Sequence, residues 1–466
     1  MDEPAVRAIF DGQRLASRTQ PAPTLIQRRQ SLDKLRDLVK TNGPAIARVI
    51  SSDFGARSIV ETELLEVVPT LNAIRHARRK LSSWMKRQRR PVDLTFQPAR
   101  AWVRFEPLGV IGIISPWNYP LLLTLAPLVD ALAAGNRVML KPSELTPAFS
   151  ALLRDLIAQR FNADEVSVVI GDIETARAFS SIPFDHLLFT GSTAVGKQVM
   201  LAAAANLTPV TLELGGKSPA IVCADYPLAK AARSIAFGKF LNAGQTCIAP
   251  DYVLVPAAQA RAFAELLIED VKRSYPTVAA NADYSGILLA RQRARLTRAL
   301  DEAKSAGATI LSHGEPDCLA VGKFPPTVVI GAPPDGVLLR EEIFGPILPV
   351  VPYETLDDAL SFIAERERPL ALYCFTHEAQ SRLRVLNSAV SGGVTLNGTL
   401  LHIAQDALPF GGIGPSGTGA YHGRDGFLRL SHARAVYKVG FVNVFERLGP
   451  PWGRLASLVT KIFVKR

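Results

Sequence analysis

The segment LNAGQTCIAP (241–250) sets Cys247 between an amide-rich turn and a proline inside an otherwise apolar region. A thiol so placed is either an inert packing group or a nucleophile, and residue type alone does not say which, because reactivity depends on how far the surroundings favour the thiolate. A second stretch, FTGSTAVGKQVM (189–200), follows the strand-like HLLF and opens into a helical pattern, with Gly191, Ser192 and Gly196 at the junction. Glycine there permits close backbone approach, and the free N–H groups of a helix start attract phosphate. The match to the dinucleotide fingerprint GxGxxG is imperfect, since Thr193 occupies the middle glycine position. A plain strand-to-helix turn accounts for it equally well.

These groups need a scaffold, and the hydrophobic pattern supplies one. From residue 109 onward, short apolar runs (GVIGIIS, NRVMLKPS, VSVVIG, HLLFTGS, PVTLELGG) alternate with helical stretches long enough for crossovers, the signature of a mainly parallel, doubly wound sheet. One crossover is ELTPAFSALLRDLIAQ, where Thr146 is placed to cap, Pro147 suits the first helical position, and Leu152, Leu153, Leu156 and Ile157 form a buried stripe. A second series after residue 218 (SPAIVC, DYVLVP, PPTVVI, LALYCFT, GGVTLNG) predicts a second α/β domain. No linker rich in Pro, Gly or Ser parts the two, so they are expected to share an interface where a ligand can lie. Ahead of both runs an amphipathic helix, LIQRRQSLDKLRDLVK, with Ile26, Leu32, Leu35, Leu38 and Val39 near helical periodicity, and then a β-like passage, VDLTFQPARAWVRFEP.

Composition narrows the setting. With 466 residues, 48% hydrophobic and 20% charged, the chain is neither disordered nor a membrane bundle. Four scattered cysteines (Cys223, Cys247, Cys318, Cys374) exclude a disulfide scaffold, and none forms a CxxC or Cys/His metal cluster. The chain reads as cytoplasmic: MDEPAVRAIF lacks the apolar run of a secretion signal, and YPLLLTLAPLVDALAAG is broken by Pro127 and Asp130 before it can span a bilayer. The net charge of +11 is concentrated in RHARRKLSSWMKRQRRP (75–91), whose Leu81, Trp84 and Met85 suggest a solvated helix with an apolar underside. No zinc finger, RNA-binding aromatic signature or helix-turn-helix accompanies it, so nucleic acid is not an expected partner.

SPWNYP (115–120), KPSE (141–144), LELGGKSP (212–219), NAGQTC (242–247), EEIFGP (341–346) and LPFGG (408–412) occur together and in this order. The chain thereby resembles the aldehyde dehydrogenase superfamily over nearly its whole length. GKFLNAGQTCIAPDYVLV and GTGAYHG look most like its class 3 branch, in particular the bacterial coniferyl aldehyde dehydrogenases. The resemblance implies an α/β fold with a Rossmann-like cofactor domain (1–90 and 107–216), a second α/β catalytic domain (217–418) and a small β oligomerisation element with a C-terminal tail (91–106 and 419–466).

It also implies roles. Cys247 matches the thiol that attacks an aldehyde to give a thiohemiacetal, later a thioester. Asn118, otherwise a turn residue, matches the amide that holds the developing oxyanion together with the Cys247 N–H. Glu213, otherwise a strand-end carboxylate in a solvated pair, matches the base that activates the hydrolytic water, which favours a free acid over acyl transfer to coenzyme A. Lys141 and Glu144 match contacts to an adenosine ribose; Gly191, Ser192 and Gly196 a pyrophosphate site; Trp117 a border of the cofactor; Glu342 the nicotinamide ribose; Phe344 an aromatic near the ring. NAD is the implied cofactor, with NADP open, and a homodimer the implied assembly. Tyr119, Leu122 and Leu123 line either an apolar entrance or a helix core.

The tail PPWGRLASLVTKIFVKR (450–466) carries Leu455, Leu458, Val459, Ile462 and Phe463 as one apolar helical stripe, with Arg454, Lys461, Lys465 and Arg466 around the polar side. It is too short to span a bilayer. Docking on the chain's own body or on a dimer partner is the leading expectation, and peripheral contact with anionic lipid the alternative.

Overall fold

The computed structural model describes residues 3–464. After an all-helical start, the chain forms β1 (Gln88–Arg90) and β2 (Arg100–Pro107), and then the parallel strands β3 (Val110–Ile114), β4 (Arg137–Lys141), β5 (Val166–Val168), β6 (His186–Thr190) and β7 (Val210–Glu213). These five lie in the order β7-β6-β3-β4-β5. A second sheet takes β8 (Pro219–Val222), β9 (Tyr252–Pro256), β10 (Thr309–Ser312), β11 (Thr327–Ile330), β12 (Ile347–Tyr353), β13 (Ala371–Phe375) and β14 (Gly393–Leu396), in the order β10-β11-β12-β9-β8-β13-β14. Only β10, at the edge, runs antiparallel to its neighbour. The expected α/β class, with two largely parallel sheets, is what the chain adopts. Strands such as VIGII and ALYCF are buried at every residue, as helix-covered parallel strands must be.

Three features depart from the sequence-based picture. First, β12 and β10 belong to no apolar run singled out above: ILPVVPY carries two prolines and β10 lies on a half-exposed edge. Second, the chain returns to the first sheet late. β15 (Gly417–Thr418) pairs antiparallel with β7, and the helix Gly423–Arg429 buries Phe427, with Leu430 just after it, in the apolar core under that sheet. Residues 417–430 thus pack with the first unit, although the expected extents put them in the second unit and the tail. Third, β16 (Ser431–Lys438) completes a small antiparallel sheet β1-β2-β16 in which Ser431 faces Pro107 and Lys438 faces Arg100. Its β1 begins before the expected element at 91, and the VDLTF passage is not strand but a short 3-10 turn, Leu94–Phe96.

Local chemistry accounts for the helices. Thr24 and Gln27 form a reciprocal capping box for Leu25–Asp53, whose Leu32, Leu35, Leu38 and Val39 are buried while Ile26 is exposed. The basic segment does have an apolar underside: Leu81 and Trp84 are buried and Met85 packs against them from a partly exposed position. Pro127 does not break the helix Pro120–Ala134, which continues through it. Asp130 in that helix is buried and accepts the His422 N–H at 3.0 Å, with burial holding its carboxyl well above the usual range. A Cβ at Gly426 would sit 1.9 Å from Asp130 Oδ2, so only glycine allows this approach.

Thr146 stands at the N-cap of Pro147–Ala158 but makes no capping bond. Asp53, from a different helix, accepts the Ala148 and Phe149 N–H groups at 3.1 and 2.9 Å instead. Asp53→Ala should therefore cost about 1 kcal/mol, while Thr146→Ala should leave the helix start intact. Hydrogen exchange of residues 147–158 checks this: exchange should accelerate in the Asp53 variant alone.

Candidate functional site

The sequence-predicted site residues gather where the strands of the first sheet end. The turn after β3 holds Trp117 and Asn118, β4 ends on Lys141 with Glu144 three residues on, β6 leads into Gly191 and Ser192, and β7 ends on Glu213. A parallel sheet opens its ligand crevice at these carboxyl ends. The second unit contributes Cys247, in the loop after the helix Leu228–Phe240, and Glu342 with Phe344, in the loop before β12.

The two units meet through hydrogen bonds. Asn118 Nδ2 donates to the Gln245 carbonyl at 3.1 Å, and Asn242 Nδ2 donates to the Asn118 carbonyl at 3.0 Å. The nucleophile loop is held in an unusual shape, because Asn242 and Ala243 both have left-handed backbones with φ of 51° and 50°, followed by Gly244 at 75°. Residues bearing a Cβ adopt that region only when their surroundings over-determine it. Gln245 does much of this: its Nε2 donates to Asn242 O and Gly286 O, and its Oε1 accepts the Leu288 N–H. Of the four cysteines, Cys247 alone is not buried to packing level; Cys223, Cys318 and Cys374 are.

Electrostatics here favour neutral groups. Burial pushes the Cys247 thiol up to about 12, with Glu342 and then Glu213 adding to the effect. Burial alone holds Glu213 well above the usual carboxylate range, and neither of its oxygens has a hydrogen-bond partner. Burial also raises Glu342 to about 8, with Asp251 adding to the rise. Its Oε1 is buried and unpartnered, and a Cβ at Gly215 would lie 2.1 Å from its Oε2. Burial thus raises all three acids together, which disfavours their charged forms.

The cofactor-directed expectations have clear structural counterparts. Ser192 caps the helix Thr193–Ala204, accepting the Val195 N–H, and leaves other N–H groups of that turn free for an anion. Gly191 and Gly196 serve close packing: a Cβ would meet the Phe189 ring at 2.5 Å and Leu214 at 2.6 Å. The middle residue Thr193 donates to Pro415 O at 3.1 Å. Lys141 is buried, donates to Pro142 O at 3.0 Å and lies 3.5 Å from Glu144, whose carboxylate is open to solvent. Trp117 and Phe344 meet edge to face at 5.6 Å. Glu144, the Ser192 helix start and the orphaned Glu342 oxygen thus fit a ligand with a ribose, a pyrophosphate and a second ribose.

Of the entrance candidates, Tyr119 is committed to structure, its hydroxyl 2.7 Å from Thr246 Oγ1. Leu123 is buried, and Leu122 is partly exposed beside the apolar cluster that also borders Cys247. A cavity of about 1520 Å³ lies at the opposite strand ends, near Gly109, Asn136 and Asp185, and contains none of the site residues.

Sequence reasoning missed the buried charges that support the loops. Lys217 pairs with Asp251 and donates to Leu338 O and Glu341 O at 2.8 Å, while Asp251 accepts the Ile343 N–H at 3.0 Å. Together they pin the turn that carries Glu342. Lys217 falls inside the LELGGKSP motif and Asp251 inside GKFLNAGQTCIAPDYVLV, but nothing local to either shows that the two pair.

Residues 2–436 match the model of the aldehyde dehydrogenase family. A probable coniferyl aldehyde dehydrogenase of Pseudomonas aeruginosa is 51% identical over 464 residues, covering 99% of this chain and 96% of that protein. The coniferyl aldehyde dehydrogenase of a Pseudomonas species is 43% identical over 431 residues, 92% of this chain and 89% of that one. Among solved structures, substrate-bound AldH of Staphylococcus aureus superposes with a TM-score of 0.92 at 36% identity, covering 98% and 99% of the two chains.

The electrostatics make a testable demand. Above about pH 8 Glu342 becomes a carboxylate and opposes ionisation of Cys247; below it, Glu342 is neutral and has no such effect. In cofactor-free protein, Glu342→Gln should match wild type in iodoacetamide alkylation of Cys247 near pH ~7 and exceed it about threefold near pH ~9.5. Peptide mapping reads the modified cysteine, and equal rates at the higher pH would show that the thiol does not feel this carboxylate.

Proposed function

Because the chain belongs to the aldehyde dehydrogenase family and is an NAD(P)-dependent enzyme that oxidises an aldehyde to the acid, we propose that Cys247, Asn118 and Glu213 carry the reaction and that the substrate is a hydrophobic or aromatic aldehyde such as coniferyl aldehyde. The observation that carries the assignment is the convergence of the Asn118 amide on the Cys247 loop, with an unpartnered buried Glu213 felt at the thiol. A catalytically silent dinucleotide-binding protein, the other reading, gives no reason for these three groups to meet. The substrate class rests on the two coniferyl aldehyde dehydrogenases named above and on the partly exposed Leu122, Leu400 and Ile403, which pack against the same apolar cluster as Cys247.

The chemistry follows from what each group can do. The neutral Cys247 thiol gives up its proton as its sulfur attacks the aldehyde carbon, and Glu213, once ionised, is the acceptor closest in kind. The carbonyl oxygen gains negative charge as the thiohemiacetal forms, and the Asn118 amide with the Cys247 N–H donates to it. Held by the residues named below, NAD(P) would supply the acceptor for the hydride leaving that carbon. Once Glu213 has passed the thiol proton to solvent, its carboxylate takes a proton from the water that attacks the thioester; the C–S bond breaks, releasing the acid and freeing Cys247 as thiolate to be reprotonated. Trp117, Lys141, Glu144, Gly191, Ser192, Gly196, Glu342 and Phe344 would hold the cofactor, and the open Glu144 carboxylate favours NAD over a 2′-phosphate.

Two substitutions test these roles. Cys247→Ser should abolish dehydrogenation, read as reduced-nicotinamide absorbance with coniferyl aldehyde, while cofactor binding persists. Glu213→Gln keeps the shape and removes the base, so turnover should fall about a hundredfold or more and mass spectrometry should find an acyl adduct on Cys247. Wild-type turnover without an adduct would place the base elsewhere, with Glu342 next in line.

For assembly we infer a homodimer built through the β1-β2-β16 sheet and the tail. No helix among the described residues is long and apolar enough to cross a membrane. The tail is expected on the chain's own body or on a dimer partner; in the helix Arg454–Val464, Leu455, Leu458, Ile462 and Phe463 are more than half exposed and Val459 is partly buried, which supports the partner. Lys465 and Arg466 lie outside the described residues. An apolar stripe left open by one subunit suits a partner subunit, and lipid is the competing occupant. Light scattering should give a dimer mass at micromolar concentration. Deleting residues 452–466 should weaken it or lower the melting temperature without changing pelleting with anionic vesicles. Loss of vesicle binding alone would favour the lipid.

A further inference from the structure

Arg57 lies in no motif that identified the site, yet it is fully buried and surrounded by the loops that build it. Its Nη1 stands 2.9 Å from Glu66 Oε1 and donates to the Asn118 carbonyl at 3.1 Å, and its Nε lies 3.9 Å from Glu61 Oε1. Each carboxylate holds a different loop. Glu66 Oε2 accepts the Leu121 and Leu122 N–H groups at 2.8 and 3.1 Å, fixing the first helical turn after Asn118. Glu61 Oε1 accepts the Asn242 N–H at 2.7 Å, in the left-handed turn that leads to Cys247. The guanidinium lies over the rings of Tyr119 and Phe54 at 4.9 and 5.0 Å, and the Tyr119 hydroxyl reaches Thr246.

Three segments distant in sequence, 57–66, 118–122 and 242–246, therefore converge on one buried cation. Stability alone is a weak reason for such a group, since well-packed apolar side chains often stabilise a core as well as a buried ion pair does. Nη1 alone makes a hydrogen bond, Nε and Nη2 having no hydrogen-bond partner among the described residues, so what the planar group adds is direction: one donor held on the Asn118 carbonyl between the two carboxylates that hold the neighbouring loops. We propose that Arg57 is a positioning residue, which with Glu61 and Glu66 fixes the Asn118 amide against the Cys247 loop. This rests on the reading of Asn118 as oxyanion donor.

A double-mutant cycle tests it, using Arg57→Lys, Arg57→Met and Glu61→Gln, each alone and with Asn118→Ala, in full-length protein whose fold and melting temperature are checked. Arg57→Lys keeps the charge and loses the planar group. It should lower kcat about tenfold while the KM for NAD changes less than about twofold, and Arg57→Met should lower kcat at least as far. In the Asn118→Ala background the same substitutions should cost less than about threefold, because the amide they orient is gone. Overturning results are a folded Arg57→Lys with kcat within about twofold of wild type, or a loss that is as large without Asn118 as with it, the mark of a purely structural role. Should Arg57→Met not fold, Arg57→Lys and Glu61→Gln complete the cycle. If Asn118→Ala alone retains wild-type kcat, the oxyanion reading falls, and this proposal with it; loss in Asn118→Ala without coupling removes the proposal and leaves that reading standing.

Discussion

The hydrogen bond from the Asn118 amide to the Gln245 carbonyl ties a loop of the first sheet to a loop of the second. The site exists only where these loops touch, because the thiol stands on one side and the amide and Glu213 on the other. Much of the surrounding structure keeps that contact in place. Asn242 bonds back to Asn118 O, Gln245 ties its loop to Gly286 and Leu288, and Arg57 donates to Asn118 O while standing beside Glu61, which accepts the Asn242 N–H. The left-handed turn at 242–244 is sustained by this set of bonds, and in turn it presents Thr246 and Cys247 toward the first sheet.

The same closeness bears on protonation. Burial raises Glu213, Glu342 and Cys247 alike, and at the thiol Glu342 and then Glu213 add to the rise. Such surroundings disfavour charge at the centre of the site, while Lys217 and Asp251 pair at its periphery. Charge develops as chemistry proceeds, opposite donors already in position, which is where a low-dielectric site gains most from preorganised hydrogen bonds.

Much of this was legible in the sequence. Central strands such as VIGII and ALYCF declare themselves because burial on both faces demands unbroken apolar runs, and Cys247, Asn118, Glu213 and Glu342 sit in motifs that travel together. Legibility failed where the determining partner is far away in the chain. Thr146 looks like a cap, but Asp53 takes the helix N–H groups from 95 residues upstream. Pro349 and Pro352 disguise β12, although a neighbouring parallel strand accommodates them. Arg57, Glu61 and Glu66 read as ordinary charges on a polar helical stretch, since nothing local reveals that all three point inward. The tail's stripe was plain, but its occupant depends on a surface outside the chain.

The late return of residues 417–430 to the first sheet bears on how the molecule comes into being. Thr418 pairs with Leu212, and Phe427 packs among residues such as Ile111 and Leu128, so the earlier half lacks its edge strand and part of its core until nearly the whole chain has been synthesised. Emerging from the ribosome, it waits through about two hundred residues of the second unit with an open strand edge and an uncovered helix face. Such long-range closure slows folding and exposes the nascent chain to aggregation, but it also sews the two halves together. Neither half is finished alone, and an enzyme whose working groups are divided between two sheets is thereby protected from assembling one without the other.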